Sequence, residues 1–344
     1  ENDPTSEEFF DLLPTDGGVI TIQGCGPVYK LFPIVNGLIV FAANGVWFIT
    51  GSQGIGFTAN DYTITKLSNI QSISTSSYVN VTGLPYFWNE EGIYHVKPNQ
   101  NGSLEVESIT VSTILSYYAD IPLESKKNAR GAYHPIDYTI QWIYKSTNST
   151  STTDKFAFDR ILNFNTFNKA FYPFSVSITD NAINAISYVS GPGGLTTIEP
   201  TFKYFSSRPD AGSYKTTFAD IHDTDFLDWD DEEYDSYFVT GYKLHGSAQR
   251  RFQIPYLYVY SNTEGEAMAY KIQSLWDYGR SGDGGRWSSS QAVSYVDNVY
   301  QTNAVKRHRL RGHGLSLQIK ISSVSGQPFN IIGWSAYEVQ NTSV

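Results

Sequence analysis

Two hairpin-like units between residues 37 and 96 restrict what this chain can fold into more than any other feature. The first runs Leu38-Ile39-Val40-Phe41-Ala42-Ala43-Asn44-Gly45-Val46-Trp47-Phe48-Ile49-Thr50. The second runs Leu84-Pro85-Tyr86-Phe87-Trp88-Asn89-Glu90-Glu91-Gly92-Ile93-Tyr94-His95-Val96. In each, a short β-branched and aromatic run reaches a turn ending in glycine and returns as another such run. Asn44-Gly45 is a strong hairpin signal, because both central residues of a type I′ turn need positive φ; Glu91-Gly92 is a looser version. Gly45 and Gly92 lie about 47 residues apart, within the roughly 40–50 residue spacing of propeller blades. The expectation is an all-β fold of β-propeller-like antiparallel sheets with very little helix, ending in a β-sandwich or in closing blades.

Composition enters where it excludes. Of 344 residues, 15% are aromatic, with Tyr 25 and Phe 20, which suits half-buried pleated surfaces. Only 17% are charged, unlike a disordered chain. A formal charge of −10 argues against gripping nucleic acid over the whole surface, though not against letting DNA pass without sticking. Cys25 is the one cysteine, so an intramolecular disulfide framework or a multi-cysteine zinc site is excluded, and it reads as a buried or half-buried thiol. No apolar run reaches the 18 or so residues of a membrane span. Because the chain begins with Glu1 rather than Met, it reads as a piece of something longer.

Along the chain, residues 6–13 suggest a short acidic-capped helix, and 51–56 imitate a phosphate loop without its Lys-Ser/Thr ending. Ile109, Ile114, Leu115, Tyr118 and Ile121 suggest a helix from about Ser112 that stops before Pro122. Strands are expected over 138–144, over 155–159 as its return, at 184–189 and at 199–205. Five more are expected at 252–260, 267–276, 287–296, 315–321 and 329–339, several aromatic at alternate positions. A propeller-like β domain is placed at 1–205, an acidic insertion or linker at 206–237 and a C-terminal β-rich domain at 238–344. The densest acidic run includes Asp228, Asp230, Asp231, Glu232 and Glu233. It reads as a solvated loop; calcium binding is second, since the EF-hand glycine and final Glu are missing.

Nothing has the spacing of a nucleophile elbow, a zincin helix or a paired-cysteine site, so no catalytic, cofactor or metal-ligating residue is assigned. The six histidines, His95, His134, His222, His245, His308 and His313, read as polar surface residues. Ser281, Asp283, Gly285 and Trp287 resemble the Asp-box hairpin of propeller blades, one position short before the tryptophan. That motif is structural: the Asp accepts turn amides and the Trp packs below. Lys306-Arg307-His308-Arg309-Leu310-Arg311-Gly312 is the only basic cluster. As a straight strand, Arg307, Arg309 and Arg311 would share a face with Leu315, Leu317, Ile319 and Ile321. A bulge at residues 312–314 switches parity, turning Leu310 inward and the arginines toward solvent or a subunit interface. Direct phosphate contact is the second reading. The chain's own acidic run offers carboxylates for such a face across a symmetric ring.

The 281–288 hairpin, Arg307–Arg311 with Gly312, the strand 315–321 and Pro328-Phe329-Asn330-Ile331-Ile332-Gly333-Trp334 follow in one order. That order resembles the C-terminal part of the tail nozzle, or packaged-DNA stabilisation, proteins of short-tailed bacteriophages. The hairpins around Trp47 and Tyr86 are similar to the propeller part of tail tubular nozzle proteins. The resemblance implies a structural virion protein of the phage tail with no catalysis. It further implies a homo-oligomeric ring, a hexamer by that likeness, that seals a DNA channel and lets the genome leave. Implied partners are a tail adaptor protein, tail fibres or spikes, and double-stranded DNA passing without sequence-specific binding. An acidic lumen would limit DNA sticking, because like charges repel within about 10 Å at moderate salt. Two other classes compete. A receptor- or glycan-binding tail protein would expose Trp47, Trp88 or Trp142 on a blade rim. A propeller glycosidase would need an arginine-lined pocket with an acid.

Overall fold

A computed structural model describes residues 19–52, 57, 61–148, 154–175, 183–189, 201–210, 213–220, 228–229, 232–233, 236–241, 243–244, 251–262, 268–277, 287–295, 303–324 and 329–340. The chain divides into two compact units, Glu1–Asp220 and Ile221–Val344. The helix expected at residues 6–13 and the loop at 53–56 lie outside the described residues.

The first unit opens with three four-stranded antiparallel meanders, each the up-and-down sheet of a propeller blade. Blade 1 is β1 (Val28–Ile34), β2 (Gly37–Ala42), β3 (Gly45–Thr50) and β4 (Thr63–Ser68). Blade 2 is β5 (Val79–Val81), β6 (Leu84–Trp88), β7 (Ile93–Pro98) and β8 (Leu104–Ser108). The helices α1 (Leu115–Ala119) and α2 (Leu123–Asn128) follow. Blade 3 is β9 (Arg130–His134), β10 (Thr139–Tyr144), β11 (Arg160–Asn165) and β12 (Ala170–Ser175). A three-stranded sheet, β13 (Ile183–Val189), β14 (Thr201–Asp210) and β15 (Ser213–Asp220), completes the unit, with β13 beside β9. Strand β14 therefore runs on into the stretch expected to be an acidic insertion.

Stacking follows from alternation along one strand. Neighbouring side chains on β6 point to opposite faces, so Phe87 joins Phe41 and Val46 of blade 1 in one cluster. Trp88 turns the other way, to Trp142 and Leu162 of blade 3. Both rings are fully buried, and blade 2 is thus cored on both faces. The helices close the second cluster: Trp88 and Tyr118 meet edge to face at 5.2 Å. The Tyr118 hydroxyl donates to Asn89 O at 2.5 Å, and Lys126 Nζ to Glu90 O at 2.8 Å, pinning the β6–β7 turn.

Two local expectations are corrected here and a third is extended. The turn at Asn44-Gly45 is not type I′: Ala42 pairs with Gly45, so its central residues are Ala43 and Asn44, neither with positive φ. Asn44 instead spends its amide on Gly24 O at 2.6 Å, and Gly45 takes the positive φ at 127°. The helix expected to stop before Pro122 does so as α1, and a second helix, α2, begins just past the proline, which stands as its N-cap residue. The return strand at 155–159 is a 3-10 turn over Asp154–Phe156, and the true return is β11. Phe156 and Phe158 lie instead under the Arg130 guanidinium at 5.1 and 5.8 Å.

The second unit contains a β-sandwich. One sheet has the order β18 (Tyr237–Val239), β24 (Ser316–Ser323), β21 (Met268–Trp276), β22 (Gln291–Tyr295), with β19 (Lys243–Leu244) also on β24. The other is β23 (Asn303–Arg309), β20 (Phe252–Asn262), β25 (Ile331–Gln340). Phe252, Ile254, Leu257 and Val259 of β20 share one core with Tyr270, Ile272, Leu317 and Ile319 of the facing sheet. A two-stranded ladder, β16 (Asp228–Trp229) with β17 (Glu232–Glu233), precedes them.

Candidate interaction surface on the C-terminal sandwich

The three arginines belong to β23 and the loop after it, and all three are exposed. The chain does not bulge and continue as one strand at residues 312–314, as the sequence suggested. Strand β23 ends at Arg309, and β24 starts at Ser316 in the opposite sheet. Gly312 makes the crossing at φ 108°, where a Cβ would stand 2.7 Å from Trp276 Nε1. That indole donates to Arg311 O at 3.0 Å, and Leu310 turns into the core.

Pairing with β20 gives the arginines their neighbours. Two residues of β20, Ile254 and Pro255, intervene where β25 has one, a bulge that proline tolerates because it has no N–H to donate. After it, Leu257, Val259 and Ser261 are buried, while Tyr256, Tyr258 and Tyr260 face away from the core. Arg309 sits opposite Tyr256, Arg307 opposite Tyr258 and Val305 opposite Tyr260. The Arg307 guanidinium lies 4.7 Å from the Tyr256 ring centre. On the other side, Tyr337 pairs with Tyr256 and is 62% exposed. Ser335 Oγ lies 3.0 Å from the Tyr260 hydroxyl. The outer face thus carries a tyrosine row flanked by two arginines and a fourth tyrosine, with Arg311 beyond the strand end.

Among the described residues, no carboxylate stands within ion-pair distance of Arg307, Arg309 or Arg311. A guanidinium fork suits bidentate recognition of a carboxylate or phosphate. The tyrosines were legible as an alternating Tyr-x-Tyr-x-Tyr pattern at 256–260, but nothing in the sequence places them beside the arginines.

The other singled-out residues are dispersed. Asp228, Glu232 and Glu233 lie on the β16–β17 ladder, whose register sets Asp228 across from Glu233; Asp230 and Asp231 lie outside the described residues. So do Ser281, Asp283 and Gly285, while Trp287 is half-buried. Cys25 is half-buried. Trp88 and Trp142 are fully buried and Trp47 partly, under the Lys66 ammonium at 5.0 Å, so these rings form no exposed rim. Two histidines expected at the surface are interior. His134 and His308 are each 3% exposed. Burial, with Lys306 adding to it, pushes His308 down to about 4, and its Nε2 lies 3.1 Å from the Tyr270 hydroxyl. His95 is lowered by burial, against the opposing pull of Glu107 at 3.1 Å. No three His, Cys, Asp or Glu converge as a metal site would among the described residues. None of the described helices is long and apolar enough to cross a membrane.

No protein-family model and no curated protein matches the chain. Solved structures match only distantly. A glycoside hydrolase is 10% identical, with 90% of this chain and 83% of that one covered at a TM-score of 0.25. A fungal alcohol oxidase in complex with copper is 10% identical over 92% and 63%, at 0.33. The WD40 domain of SCAP from fission yeast is 10% identical over 88% and 74%, at 0.25. Likeness this low assigns no activity.

Proposed function

We propose that this chain is a structural virion protein, a subunit of the ring-shaped tail nozzle of a short-tailed bacteriophage, acting without catalysis. In this role it forms and seals the DNA exit channel and opens it for genome ejection. It contacts further copies of itself, a tail adaptor protein and tail fibres or spikes, and passes double-stranded DNA without reading its sequence. The observation that carries the reading is the exposed tyrosine and arginine face of β23-β20-β25. Tyrosine and arginine are enriched among the residues that anchor protein interfaces, and here they share the outer face of one sheet. The order of C-terminal motifs that resembles nozzle proteins supports the same role. The alternative, a receptor- or glycan-binding tail protein, loses its expected aromatic platform, since Trp88 and Trp142 lie inside the blades.

Cryo-electron microscopy of the purified chain, alone and with tails, tests the proposal. A closed ring around an axial channel is the expected result. A monomer at all concentrations that binds glycans on an array would overturn it in favour of the alternative.

A further inference from the structure

The β23-β20-β25 sheet ends in two edges of different character. Among the described residues, β23 and β25 each pair with β20 alone, so the far side of each strand carries unpaired backbone groups. Such an edge is a template for another strand, and proteins blunt it with charges, proline or short length. Strand β23 is blunted: Lys306, Arg307 and Arg309 keep two copies of it apart, and the Gln291 side chain holds Arg309 O at 2.6 Å. The edge strands β18 and β22 of the facing sheet are only three and five residues long. Strand β25 has neither protection. It runs ten residues, Ile331–Gln340, without lysine, arginine or proline, and Glu338 is its single charge. Its Ile332, Trp334, Tyr337 and Val339 are all exposed.

The side chains at the two edges complement each other. Register sets three levels across the outer face: Arg309, Tyr256 and Tyr337; Arg307, Tyr258 and Ser335; Val305, Tyr260 and Gly333. On the β23 side, Arg307 stacks on Tyr256 at 4.7 Å. On the β25 side, Tyr337 is exposed with no cation over its ring among the described residues, and open space surrounds the position of a Cβ on Gly333. We propose that the β25 edge of one copy pairs with the β23 edge of the next, joining the three-stranded sheets into one sheet around the ring. The incoming arginines then stack beside Tyr337 as Arg307 does on Tyr256, and Val305, 57% exposed, fills the space at Gly333. Both β23 and β25 run antiparallel to β20, hence parallel to each other. A copy rotated about an axis along the strands therefore brings its β23 beside β25 in parallel. Parallel pairing is slightly weaker per residue, and the arginine–tyrosine contacts reinforce it. The contact is heterologous, one edge against a different edge, and such contacts close into rings when the rotation permits. The inference rests on the ring reading above and names the strands that make the subunit contact. Pairing of β25 with a second β25 across a two-fold axis is the rival, and it would leave the arginines outside the interface.

The test uses edge variants of the full chain, read by mass photometry and sedimentation. One carries Ser335→Lys and Tyr337→Lys; the other carries Arg307→Glu and Arg309→Glu. The first should weaken association about 100-fold, because like charges then meet across the interface. The second should weaken it about 10-fold, through loss of the cation–ring contacts. Circular dichroism and thermal melting confirm that both variants remain folded. Mixing the two should restore assembly, because an alternating ring joins lysine to glutamate at one contact and keeps the native contact at the next. Hydrogen exchange of the unaltered chain gives a readout independent of any substitution: on assembly, the alternate amides over 333–339 that β20 leaves free should slow, as a new ladder requires. If the lysine variant fails to assemble while the glutamate variant assembles like wild type, β25 pairs with itself and the proposal falls. If wild type assembles but neither variant weakens it, or those amides exchange as fast as in the dilute chain, the proposal falls while the ring reading stands. If wild type never assembles, the ring reading falls with it.

Discussion

His308 makes the sandwich sensitive to acid, and the size of the effect follows from where the ring sits. It is the inward residue between Arg307 and Arg309 on β23, opposite Leu257 of β20 and beside the Tyr270 hydroxyl of β21. Burial disfavours the imidazolium, and Lys306 adds to this, holding the group at about 4 against an ordinary 6.5. Between those two values the unfolded chain binds a proton that the folded chain refuses. The contribution to stability is therefore complete above pH 6.5 and declines as pH falls toward 4. At about 1.4 kcal/mol per pH unit the ceiling is about 3 kcal/mol. Because β23 is an edge strand open to solvent screening, the expected loss is discounted to about 1–2 kcal/mol. The perturbation is His308→Phe, which keeps a flat ring and cannot titrate. Denaturant unfolding of wild type and variant at intervals from pH 7.5 to 4 gives the difference, in which His95 and the carboxylates cancel. The variant should start about 1 kcal/mol less stable at neutral pH, having lost the Tyr270 partner, and should then lose less than wild type on acidification. Parallel curves, or a proton resonance of His308 titrating at 6.5 or above, would refute the reasoning.

Other substitutions test the packing that positions the blades. Trp142→Ala should cost about 3–5 kcal/mol in thermal unfolding, since the indole is fully buried and its N–H donates to Ser77 O at 3.0 Å; an unchanged melting temperature would place it outside the core. Gly131→Ala should cost about 1–3 kcal/mol, because the added methyl would lie 2.5 Å from Trp142 Cδ1, with Val79 nearer still. Lys126→Met should cost about 1–2 kcal/mol and speed amide exchange at residues 89–92, as the bond to Glu90 O is lost; unaltered exchange there would show that α2 does not hold the turn. Gly312→Ala should lower the stability of the C-terminal unit by about 1–3 kcal/mol, combining a left-handed φ with contact on Trp276; a neutral result would mean the crossing relaxes freely.

Most of the strands were legible because side chains that alternate along them are read directly from the chain. Phe87 and Trp88 are adjacent and both large, which on a strand demands apolar neighbours on two faces, and the stacked blades supply them. Alternation misled at 155–159, where the aromatic spacing serves the Arg130 guanidinium instead of a ladder. The turn at Asn44-Gly45 departed from its signal because Asn44 has a partner 20 residues back, at Gly24. His308 was misjudged for the same kind of reason. Among arginines it looks like part of an exposed basic run, yet period two turns it inward, and its partner Tyr270 is 38 residues away.

The candidate surface shows where local reading ends. Parity alone separates Arg307 and Arg309 from His308, so their exposure is a property of one short strand. The tyrosines that join them come from a different strand, through a register that pairs Tyr256 with Arg309 across more than fifty residues. That register depends on the bulge at Pro255, whose carbonyl accepts the Leu310 N–H at 3.1 Å. Without the extra residue, the segment of β20 beyond the bulge would reverse its faces, since a one-residue slip exchanges the two sides of a strand. Tyr256, Tyr258 and Tyr260 would then turn toward the sandwich core, and Leu257 and Val259 toward solvent. Deleting Pro255 should therefore unfold the sandwich rather than merely weaken assembly, and a folded deletion variant that still associates would show that the tyrosine row is dispensable to the surface.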